Sequence, residues 1–166
     1  MELQTLLIRF PLAPLADHIG KFEQLFHNVY YLLKSDQDKS LHIACEVVSI
    51  YNKLNFYITA PVTNAGVLKN MVFSIFPDAE VTTVQRFLDV EHMPDHALAF
   101  YLDLAQKERY SLRTYKSTAP NDPLSPYINS LSSIPPTHGA IWQLVLDPLD
   151  EDLESGSSGI FYGETK

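Results

Sequence analysis

The chain is poor in several things that chemistry commonly requires. A single cysteine, Cys45, in 166 residues rules out an intramolecular disulfide. Its place in an apolar, strand-like run points to packing in a reducing compartment rather than to an exposed nucleophile. Glycine is sparse, at six, and no Gly-rich run ends in Lys followed by Ser or Thr. Nothing of that kind cradles a triphosphate, so the chain alone is not expected to hydrolyse ATP. Positive charge is scarce too: 12 Lys and Arg stand against 20 Asp and Glu, a net charge of −8, and the basic residues are scattered singly. The summed field repels phosphate backbones and anionic lipid, which disfavours nonspecific nucleic-acid binding. Long apolar runs are missing as well. No stretch approaches the ~20 residues that span a bilayer, and Met1 to Phe10 lacks the basic start and small-residue cleavage site of a signal peptide. A soluble chain of cytoplasmic location is expected.

The residues that remain are those of an ordinary folded domain, 46% hydrophobic and 19% charged. Thr5 to Phe10 reads as a strand ended by Pro11 and Pro14. From Leu15 onward, Ile19, Phe22, Phe26, Val29 and Leu33 recur at steps of three and four, which predicts an amphipathic helix to about Leu33. Ile43, Cys45 and Val47 then alternate with Ala44, Glu46 and Val48, and Leu54, Phe56 and Ile58 with Asn55, Tyr57 and Thr59. Asn52 and Lys53 between them predict a hairpin turn. Thr63 or Asn64 is the expected cap of a second helix carrying Val67, Leu68, Met71, Val72 and Ile75, which Pro77 stops. A strand follows in "AEVTTVQRF". The order βαββαβ is the ferredoxin-like arrangement, an antiparallel sheet with helices on one face.

An incomplete echo follows. "HALAFYLDLAQ" and "RYSLRTYK" are strand-like. Asp122 and Pro123 open a helix with Leu124, Ile128 and Leu131 on one side. "AIWQLVLDPL" is nearly continuous apolar sequence, the pattern of a strand that is central or covered on both faces. The expected fold class is therefore α+β, with a ferredoxin-like unit over residues 1–90 and a partial ββαβ repeat over 91–149 packed on it. An acidic, Gly/Ser-rich tail covers 150–166.

Candidate chemistry is thin. His92 and His96 flank Pro94, which prevents the regular helix that would set both rings on one face, so no metal site is expected. The carboxylates Asp147, Asp150, Glu151 and Asp152 lie in or beside the tail, and no serine sits in a nucleophile elbow. A hydrolase would have to gather distant residues such as His42 and Glu46 in one pocket. Phe56, Tyr57, Phe100, Tyr101 and Tyr115 resemble a base-stacking platform in number, but the Arg/Lys-Gly-aromatic motif is missing.

Several short words occur together in order: "FEQLFHNVY", "FSIFPDAEVTTV", "LRTYK", "DPLSPYINSLSSI" and "IWQLVLDPL". In these words the chain resembles the N-terminal soluble domain of conjugative DNA-transfer proteins, the type IV secretion coupling-ATPase-like family. Pro77, Asp78, Ala79 and Glu80 correspond to that family's helix-to-strand turn, Asp122, Pro123 and Leu124 to its last helix start, and Trp142, Gln143 and Pro148 to its closing strand. It departs from the family at His138, Gly139 and Ala140, where an acidic residue is usual. The resemblance implies a non-catalytic assembly or adaptor domain that acts by protein contacts, without a cofactor. It also implies a membrane association held only through a parent protein or partner, and a motor domain, if any, outside residues 1–166. Tyr57, Tyr101, Tyr115 and Trp142 are the expected interaction surface, for protein partners in the assembly or for a second copy in a homo-oligomer. A nucleic-acid-binding module of the same machinery is the alternative.

Overall fold

The computed structural model describes residues 2–10, 15–36, 40–51, 53–85, 98–100 and 125–147. Two compact units divide the chain, Met1–Arg86 with Tyr127–Pro148 and Phe87–Pro126 with Leu149–Lys166. In the second unit Leu98, Ala99, Phe100, Ser125 and Pro126 are described, and the first three are exposed. These three belong to "HALAFYLDLAQ" and are not in a strand. The rest of that segment, "RYSLRTYK", the expected caps Asp122 and Pro123, and His92 and His96 lie outside the described residues, as does the expected tail.

In the first unit the elements run β1 (Leu3–Arg9), α1 (Leu15–Lys34), β2 (Ile43–Ile50), β3 (Lys53–Pro61), α2 (Val62–Ile75) and β4 (Glu80–Val84). They are followed by α3 (Ser125–Ser132) and β5 (Gly139–Leu146). The strands form one sheet in the order β4-β1-β3-β2-β5, antiparallel at every pairing. Its first four strands have the ferredoxin-like arrangement. The last strand of the expected repeat joins that same sheet, beside β2.

Side chains at paired positions share a face, so register separates the two sides of the sheet. One side carries Leu6, Ile8, Ile43, Ile58, Ala60 and Val81, which pack with Leu25, Val29 and Leu33 of α1 and Leu68, Val72 and Ile75 of α2. Phe10, Phe22 and Phe76 close one end of this core, with ring centroids 4.9 to 5.1 Å apart. Burial at about 25 cal/mol per Å² of apolar surface makes this layer the main stabilising contribution. Phe26, expected on the buried stripe, is 42% exposed. Leu25 takes the core-facing place because one residue is a 100° turn of the helix.

The start of α2 also differs from expectation. Its N-cap is Pro61, with no side-chain cap hydrogen bond, and Thr63 Oγ1 donates to Asn64 Oδ1 instead. β3 runs into α2 without a loop, and Val62 N–H donates to the Glu2 carbonyl at 3.1 Å. The β1 terminus thus satisfies a helical donor that a cap would otherwise take. At the other end Phe76 N–H donates to Val72 O, and Pro77 prevents further helix. The β2–β3 turn differs from expectation: Ile50 pairs with Lys53, so Lys53 belongs to β3, and Asn52 lies outside the described residues. Tyr51 has φ of +50°, the left-handed conformation that two-residue hairpin turns demand.

Candidate interaction surface

On the side of the sheet away from the helices, polar side chains cross four strands. Thr5 Oγ1 and Thr59 Oγ1 lie 2.9 Å apart. Thr59 Oγ1 donates to Glu46 Oε2 at 3.2 Å, and Gln143 Nε2 donates to Glu46 Oε1 at 2.7 Å. Because the Thr59 hydroxyl has one proton and gives it to the carboxylate, Thr5 must donate to Thr59. The hydrogens therefore point one way, toward Glu46. Thr5, Thr59 and Glu46 are all buried, and an unmet group at any of them would cost about 1–3 kcal/mol. The row fixes the register of β1, β3, β2 and β5 together.

Cys45 neighbours this carboxylate but points to the helix side, where it packs against the core. Burial first, and the Glu46 charge second, push its thiol up to about 11. It stays protonated and a poor nucleophile at neutral pH. Burial also raises the Tyr57 phenol, an effect that Arg9 opposes and Glu46 reinforces. Arg9 and Glu80 form an exposed ion pair at 3.1 Å, of the kind that contributes little to stability.

Of the four residues expected on the interaction surface, Tyr101 and Tyr115 lie outside the described residues. The other two are on opposite sides of the sheet. Tyr57 pairs with Glu46, which pairs with Gln143, whereas Trp142 pairs with Val47. Both rings are half-buried, so they do not form one patch. Phe56 and Tyr57, being consecutive in a strand, likewise face apart, and Phe56 turns toward Phe10 at 6.0 Å. His42 and Glu46 are not gathered either. Four strand residues separate them by ~13 Å, and the His42 Nδ1 meets Asp147 Oδ1 at 2.5 Å on the surface. No group of three or more metal-ligating side chains occurs among the described residues.

The feature that sequence reasoning placed differently is β5. Its apolar run predicts a covered strand, yet among the described residues it pairs only with β2 and stands at the sheet edge. Leu144 and Val145 are 39% and 49% exposed. All eight residues, GAIWQLVL, are uncharged. Natural sheets usually blunt such an edge with Lys, Pro or a bulge; β5 contains neither Lys nor Pro. The opposite edge, β4, has five residues and carries Glu80 in its ion pair. Compared with protein-family models, curated proteins and solved structures, the chain matches none.

Proposed function

We propose that this chain is a non-catalytic assembly module that acts through protein–protein contacts. The observation that carries the reading is that β5, uncharged and largely apolar, is an edge strand among the described residues, and an edge offers backbone donors and acceptors to an added strand. The hydrogen-bonded row that ends at the exposed Gln143 ties that edge strand to β2. The machine we propose it serves is a conjugative DNA-transfer assembly, supported by the ordered words shared with that family. A role at the cytoplasmic side of such a machine fits a chain in whose described helices none is long and apolar enough to cross a membrane.

The test is binding of labelled single-stranded and double-stranded DNA to the purified chain at low and moderate salt. No micromolar binding is expected at low salt, where electrostatic attraction is strongest. Micromolar affinity that falls steeply with salt would replace the contact reading with the nucleic-acid one.

A further inference from the structure

We infer that the partner at the β5 edge is a second copy of this chain. The two β5 strands would pair antiparallel about a two-fold axis and join two five-stranded sheets into one. The inference rests on the protein-contact reading above and names its partner.

Three observations lead to it. The first is the mismatch between pattern and place. Gly139–Leu146 has the apolar continuity of an interior strand and yet stands at an edge among the described residues. One added strand would make it interior.

The second is charge. A chain carrying −8 repels its copy at most approaches, but β5 contains no charged residue. Two such chains can meet along it without opposing like charges.

The third is self-complementarity. A two-fold axis normal to the sheet keeps each face on its own side, so only registers that pair residues of the same face are allowed. With Gln143 on the axis, the sequence AIW-Q-LVL is an apolar palindrome. Trp142 meets Leu144 of the second copy, Ile141 meets its Val145 and Ala140 its Leu146. Asp147 falls opposite Gly139 of the second copy, so the two Asp147 carboxylates stand at opposite ends of the ladder. Gln143 itself suits the axis. Its amide gives one N–H to Glu46, and a primary amide has a second N–H and a carbonyl oxygen. Across the axis each carbonyl accepts the other's N–H.

Sedimentation velocity on the full chain over a wide concentration range tests this, with Leu144→Lys and Val145→Lys compared at equal concentration. The wild type is expected to reach twice the monomer mass by tens of micromolar. Each lysine should weaken association at least tenfold while the far-UV spectrum is kept. A second variant decides the matter if the lysines unfold the chain. Gln143→Cys places two sulfurs across the axis at the 4.5–5.5 Å Cα spacing of an antiparallel pair, within disulfide range. Mild oxidation should link it into a dimer, while Tyr51→Cys, at the exposed hairpin tip, stays unlinked. A wild type that is monomeric throughout would overturn the proposal, and so would a dimer indifferent to the lysines and not linked through Cys at 143. A monomer that binds no DNA would sink only the self-pairing and leave the contact reading for another partner. Steep, salt-sensitive DNA binding would remove the contact reading itself, whatever the mass.

Discussion

Thr59 holds the polar row together, because it is the one side chain that touches both Thr5 and Glu46. Replacing it with Val keeps the shape and the β-branch but removes a donor from a buried carboxylate and an acceptor from a buried hydroxyl. The expected loss is about 1–3 kcal/mol in urea unfolding. Adding Thr5→Val to Thr59→Val should cost less than Thr5→Val alone, since the orphaned hydroxyl is then gone. Additive costs would mean the two do not act as one chain of bonds. Cys45 makes a separate prediction about pH. Its thiol ionises less readily folded than unfolded, so this contribution to stability is fully present below the unfolded thiol's range and is lost as pH rises toward about 11. Between pH 8 and pH 11 the wild type should lose about 2 kcal/mol relative to Cys45→Ala. Equal slopes for the two chains would show that the thiol is not protected by burial. The row's composition was visible in the sequence as polar residues within apolar strands. Its connection was not, because Thr59, Glu46 and Gln143 meet only after the register of three strands is known.

Helices and strands were largely legible, and the departures have local causes. The α1 stripe identified Val29 and Leu33 correctly, but a three-and-four spacing fits both Leu25 and Phe26, and tertiary packing alone chose Leu25. The cap expected at Thr63 or Asn64 was displaced by a donor–acceptor match to Glu2 that no local pattern encodes. At the β2–β3 turn, Asn52 and Lys53 have the turn-forming side chains, while the left-handed backbone position is Tyr51. A bulky residue at φ +50° costs about 1–2 kcal/mol over glycine. Tyr51→Gly should therefore raise the urea midpoint, with a gain of about 1 kcal/mol after the entropy of the added glycine in the unfolded chain. A lower midpoint would reveal a stabilising contact of the Tyr51 ring. In α2, Leu68 is fully buried between the sheet and its own helix, and Leu68→Ala should cost about 3 kcal/mol with the cavity included. A loss below about 1 kcal/mol would show that the site collapses freely.

For the whole molecule, the sign of the salt effect separates the two readings of function. An apolar strand pairing between two acidic chains works against mutual repulsion, so added salt should tighten self-association severalfold. Nucleic-acid binding would respond in the opposite sense. Both are read from the same titration series, by sedimentation and by fluorescence anisotropy. The βαββαβ order followed from periodicity because each element repeats its pattern within a short window. The place of β5 did not, because a run of apolar residues states that a strand is covered without stating what covers it. The pairing of β2 with β5 has a kinetic consequence as well. Residues 85–138 lie between β4 and β5, so four strands and two helices are complete long before the fifth strand exists. A growing chain holds the outer rim of β2 bare until Leu146 is made, and closing so distant a contact is slow. During that interval the nascent chain is at its most aggregation-prone, and a folding helper that shields the bare β2 rim would raise the yield of native protein more than one acting after release.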